Sequence, residues 1–197
     1  MAYTALLRWR AAEQAFLAAR DALPADAHFR RAQLGAMAGN AALAENRGAA
    51  ALVALNAAAR DAEAAGDDAL QAVMQVDRAR ALVLQGDEAE AGAALEKARM
   101  LDPQSPYAFL LSATLARRQR KLAEAQGFIE TAAALAPDYP EIGLEAGVIA
   151  MLDGREDAAK ASWQSVLEVE PGGEAAAAAR GYLAQLDGPA APAVEGR

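Results

Sequence analysis

Cysteine is absent from the chain, which removes disulfides, thiolate nucleophiles and cysteine-ligated metals together and leaves the redox compartment open. Histidine occurs once, as His28. With no thiol and no second imidazole, His28 reads as a surface or helix-start residue, not a metal ligand or a catalytic base. No apolar run approaches the roughly 18 residues that a spanning helix needs, so no membrane insertion is expected. The opening ten residues, Met1 to Arg10, have too short an apolar stretch for a signal peptide. Lysine is confined to Lys97, Lys121 and Lys160, and the net charge is −8. A chain so short of positive charge has no general means of neutralising phosphates, which argues against nucleic acid as a partner. There is no G-x-S-x-G elbow, no phosphate loop and no G-x-G-x-x-G fingerprint, so no catalytic residue, cofactor or metal is expected.

What the chain has is alanine, with aromatics at only 5% of its 197 residues. Such helices pack by close approach and not by bulky fill. Alanine together with arginine in place of lysine fits a GC-rich bacterial coding bias.

Three prolines, Pro103, Pro137 and Pro171, stand 34 residues apart. Set each proline at position 32 of a unit and small residues fall at position 8 (Ala79, Ala113, Gly147) and position 20 (Ala91, Ala125, Ala159). Large apolar residues fall at position 24 (Leu95, Ile129, Trp163), and position 27 takes Ala98, Ala132 and Val166. Over residues 72–171 this pattern resembles the tetratricopeptide repeat, a 34-residue helix–turn–helix unit. Over 5–66 the likeness is weaker. The resemblance implies an all-α fold, a right-handed α-solenoid of antiparallel helix pairs with a C-terminal capping helix.

The register departs from the family at positions 4, 7 and 11 of the first helix, where aromatic or leucine residues are usual. Here they are Gln75, Arg78 and Leu82, then Phe109, Ser112 and Ala116, then Gly143, Ala146 and Ala150. Looser first-helix packing is expected. Gly86 and Gly154 occupy the turn at position 15, suited to a left-handed residue, whereas Arg120 replaces glycine and implies a different turn. Ser105 before Pro106 reads as an N-cap, and Asp68 with Gln71 and Asp138 with Glu141 have capping-box spacing.

The expected organisation is one solenoid over 1–187. Trp9, Ala12, Phe16 and Ala19 before Pro24 look like an orphan second helix over 5–23, with Trp9 and Trp163 as core knobs. A divergent long pair follows over 27–66, because Pro24 lies 11 residues more than two periods before Pro103. Units at 68–103, 105–137 and 139–171 come next, then a capping helix over 173–187 and a disordered tail over 188–197. An array that starts mid-repeat suggests that the natural protein extends upstream of Met1. A cytoplasmic location is expected for a complete chain, a periplasmic one if a signal segment precedes it.

Acidic clusters at Asp67-Asp68, Gly86-Asp87-Glu88 and Asp153 to Asp157 lack calcium-loop spacing and read as helix-start carboxylates. The basic run Arg117-Arg118-Gln119-Arg120-Lys121 allows two readings, an anion contact or cations gathered at a helix C-terminus. In the tetratricopeptide family, first-helix positions 2, 5, 9 and 12 line a concave binding face. By that resemblance the partner-binding residues are Val73, Val76, Arg80 and Val83; Tyr107, Leu110, Thr114, Arg117 and Arg118; and Glu141, Leu144, Glu145, Val148 and Met151. The lysine–asparagine clamp of chaperone-binding members is not matched, since positions 5 and 9 hold Val76 with Arg80 and Leu110 with Thr114. The expectation is a non-enzymatic scaffold or adaptor that takes a protein or peptide segment. The alternative is a self-associating or cell-envelope assembly component that uses the exposed N-terminal half-repeat.

Overall fold

A computed structural model of the chain describes the backbone of residues 2–186 and side chains from Arg8 onward. The expected tail over 188–197 lies outside the described residues. Ten α-helices and no strands occur among those residues: α1 (Ala2–Asp21), α2 (His28–Ala44), α3 (Gly48–Ala65), α4 (Asp68–Gln85), α5 (Glu88–Leu101), α6 (Pro106–Arg118), α7 (Leu122–Leu135), α8 (Pro140–Leu152), α9 (Glu156–Val169) and α10 (Glu174–Leu186). The chain is an all-helical repeat array, and it forms two compact units, Met1–Leu115 and Ala116–Arg197.

One hydrogen-bond pattern closes four of the turns. At Gly86 the residue's N–H donates to Val83 O at 3.1 Å and the next N–H, of Asp87, donates to Leu82 O at 3.0 Å. Asn46, Arg120 and Gly154 repeat the pair of bonds, which is the Schellman end of a helix. Gly86, Arg120 and Gly154 are 34 residues apart, so turns follow the same period as the prolines. Arg120 corrects the expectation drawn from its missing glycine: it adopts φ 63° itself, and the turn is unchanged. The backbone bonds are kept and a Cβ is accepted in the left-handed region, at a cost of roughly 1 kcal/mol.

The surplus length in the N-terminal half also has a definite location. Helices α2, α3 and α4 have 17, 18 and 18 residues, against 13 or 14 in α5 to α10. Each of the three has gained about one helical turn of 3.6 residues, which keeps the faces in phase while it breaks the 34-residue spacing.

Helix starts differ in detail from the sequence pattern. Ser105 Oγ accepts from Ala108 N–H at 3.4 Å. In α4 the cap is Asp67, one residue before the expected Asp68, and its Oδ1 accepts from Leu70 N–H at 2.9 Å. Tyr139, not Asp138, is the N-cap of α8 and makes no side-chain cap bond; Pro140 at the first helical position leaves one backbone N–H fewer to satisfy.

In the first unit, alanines bring helices close and a few larger residues fill what remains. Leu55 lies against Gly39, where a Cβ would come within 2.5 Å of Leu55 Cγ. Ala79, Leu82, Ala91, Ala94, Leu95 and Leu115 form one cluster and Val76, Ala98 and Ala108 another. Trp9 is not a core knob: it is 46% exposed, since no described segment covers that face of α1.

In the second unit, Gly143 and Gly147 lie one turn apart on α8 and receive Val166 and Trp163 of α9. A Cβ on Gly147 would sit 2.5 Å from Trp163 Cδ1, and one on Gly143 2.7 Å from Val166 Cγ2. At Gly143, a position where looser packing was expected, the two helices are in close contact instead. Trp163 is 3% exposed, donates its indole N–H to Leu144 O at 3.2 Å, and stacks on Tyr182 of α10 with centroids 4.9 Å apart. Helix α10 covers the apolar side of α8 and α9 through Ala175, Ala176 and Ala179.

Candidate interaction surfaces

The first helices of successive pairs, α2 and α4, touch each other in the first unit and carry a polar network on their shared side. Asn40 Nδ2 donates to Asp77 Oδ2 at 2.7 Å, and Arg80 Nη1 donates to Asn40 Oδ1 and to Asp77 Oδ1, each at 3.0 Å. Asp77 is 6% exposed. Its burial pushes the carboxyl above the ordinary value, while Asn40 and Arg80 pull the other way. The charge of Arg80, expected at the binding face, is thus met within the chain. Neither Asn40 nor Asp77 was among the expected face residues, and Asp77 three residues before Arg80 was the local signal that pointed there.

The other expected residues of this unit divide by exposure. Val73 is 53% and Tyr107 37% exposed, and Val83 is half-buried. Val76 and Leu110 are buried and do not offer their side chains to a partner. Thr114 is half-buried and donates its hydroxyl to Leu110 O at 3.1 Å.

In the second unit Arg117 grips Glu145 with two bonds, Nε to Oε1 at 2.6 Å and Nη2 to Oε2 at 3.2 Å. Both side chains are largely covered. Arg117 and Glu145, both expected to meet a partner, are at this point closed on each other in one ion pair. Arg118 and Glu141 are exposed. Leu144 and Val148 are half-buried against the cluster that α10 completes, and Met151 is 36% exposed.

His28 is the first residue of α2, its Nδ1 3.8 Å from Asp61 Oδ1. No group of three or more histidine, aspartate or glutamate side chains able to hold a metal occurs among the described residues. No helix among them is long and apolar enough to cross a membrane.

No family model and no curated protein matches the sequence. Solved structures do match. The first tetratricopeptide domain of Spaghetti (RPAP3), bound to the HSP90 peptide SRMEEVD, is 24% identical over 61% of this chain and 96% of its own, with a TM-score of 0.55. MamA is 17% identical over 76% of this chain and 84% of its own, at 0.59. YrrB, described as a tetratricopeptide protein with an unusual peptide-binding site, is 17% identical over 76% of this chain and 74% of its own, at 0.59. The fold of the chain is the tetratricopeptide-repeat solenoid.

Proposed function

We propose that the chain is a non-enzymatic interaction scaffold that binds a protein or peptide segment on the concave side of the first helices within its units. The observation that carries this reading is an apolar and aromatic side-chain set left open at those helices: Val73 and Tyr107 in the first unit and Met151 in the second are all more than a third exposed. Exposed aromatic and apolar anchors are what such surfaces use to bind. Two structurally similar proteins, Spaghetti with its HSP90 peptide and YrrB with its peptide site, bind peptides on the same fold, which supports the class of partner and leaves its identity open.

Charge introduced at the face tests it. Val73→Asp with Tyr107→Asp should abolish capture of the partner that the wild-type chain retains, with an unchanged circular dichroism spectrum; full capture by the folded double variant overturns the mapping. Leu110, although at a face position, is a poor choice because it is 6% exposed and its loss would act through the core.

A second reading, self-association through α1, is favoured by Trp9 at 46% exposure. It requires a mass above the monomer at high concentration that Trp9→Ser returns to monomer. A strictly monomeric wild-type chain excludes it.

A further inference from the structure

Repeat positions 4 and 7, both on α4, hold Gln75 and Arg78, where the repeat ordinarily has large apolar fill. In the first unit the fill is replaced by a cavity of about 250 Å³ between α3, α4 and α5. Arg60, Arg78 and Lys97 line it together with Asn56, Gln75 and a single carboxylate, Glu63. Arg78 is held in place by two neutral amides: Nε donates to Asn56 Oδ1 and Nη1 to Gln75 Oε1, each at 2.7 Å. Gln75 is itself 4% exposed, which fixes that acceptor. Elsewhere Arg20, Arg47, Arg80 and Arg117 each meet a carboxylate. Among the described residues no ion pair joins Arg60, Arg78 or Lys97 to Glu63 or to any other acid. The lining therefore carries three cations against one anion, on a chain of net charge −8. Salt screens charges beyond about 8 Å, so this local excess, not the net charge, governs what enters.

The volume falls below the roughly 300–1,000 Å³ of small-molecule sites and suits one acid group on a larger partner. A guanidinium pinned by neutral amides before anything binds is preorganised for a carboxylate.

We propose that this pocket receives a carboxylate of an acidic peptide segment, at a site separate from the first-helix face. That the carboxylate belongs to a peptide rests on the scaffold reading above; the anion site itself does not. Arginine side-chain and backbone ¹H–¹⁵N spectra of the full chain, titrated with a Gly-Glu-Glu-Asp-Gly peptide acetylated at its N-terminus and amidated at its C-terminus, test it. The Arg78 Nε signal and amides of α3 to α5 should shift, and the matched Gly-Gln-Gln-Asn-Gly peptide should leave them in place. Arg78→Gln should weaken binding about tenfold. Lys97→Glu, an exposed change with no effect on folding expected, should weaken it at least as much. Val73→Asp with Tyr107→Asp should leave this binding intact even while it abolishes capture at the other face, which separates failure of one reading from failure of the other. No shift with the acidic peptide at millimolar concentration and low salt, equal shifts with the neutral peptide, or shifts with inorganic phosphate alone would each overturn the proposal.

Discussion

Replacing Gly147 by alanine puts one methyl group where α8 and α9 meet. In an open helix the change is favourable by roughly 1 kcal/mol, because glycine loses more backbone entropy on folding. Here the methyl carbon would lie 2.5 Å from Cδ1 and 2.6 Å from Cε2 of Trp163, well inside contact distance, and the indole must move. It is anchored at both ends, by its N–H on Leu144 O at 3.2 Å and by the stack on Tyr182. Orphaning a buried donor costs about 1–3 kcal/mol, and losing the stack about 0.5–1.5 kcal/mol. Set against the propensity gain, the expected net loss is about 2 kcal/mol. Gly181→Ala is the control, since nothing lies within 4 Å of the added carbon on exposed α10; it should stabilise by about 0.5–1 kcal/mol. Urea unfolding followed by tryptophan emission in a Trp9→Phe background isolates Trp163, the other of the two tryptophans. The Gly147→Ala midpoint should fall by about 1 M. A Gly147→Ala chain as stable as Gly181→Ala would refute the account of this helix contact.

Arg120→Gly should raise stability by about 0.5–1 kcal/mol in thermal unfolding, because glycine meets φ 63° without a Cβ clash and only part of the gain is lost to unfolded-chain entropy; a lower midpoint contradicts the strain. Asp77 has its carboxyl raised above 3.8 by burial, so its stabilising contribution is complete below that value and declines as pH rises through the higher folded value. The stability of wild type relative to Asp77→Asn should therefore improve as pH falls from about 6 to about 4, and a difference that is flat or of opposite slope in urea titrations contradicts the buried setting. Glu145→Ala, which leaves Arg117 largely covered without its partner, should cost about 1–3 kcal/mol in the same assay, whereas Glu141→Ala, fully at the surface, should change stability by less than about 0.5 kcal/mol.

The repeat was legible because proline, small and large residues recur with a local period, and a local period survives translation into helices. Gly147 opposite Trp163 is legible in the sequence as position 8 against position 24. Features that depend on which helix faces which were not legible. Arg117 and Glu145 are 28 residues apart and Asn40 and Asp77 are 37 apart, so nothing local marks them as partners. Trp9 has the spacing of a knob, but a knob is buried only when a neighbouring face covers it. Arg120 misled because the turn is dictated by its backbone bonds, and a residue without glycine's freedom pays the strain and follows. Gln75 and Arg78 were visible as departures from the family pattern, yet only the placement of Arg60 and Lys97 beside them makes the departure a cationic pocket.

The central claim is that partners are held at the first-helix face, and site-specific photo-crosslinking tests it most directly. A photoreactive residue at Val73 or Tyr107 should yield an adduct with the captured partner, while the same residue at Val53 of α3 or Met100 of α5, which are 74% and 76% exposed, should not. Adducts formed only from Val53 and Met100 would contradict the account.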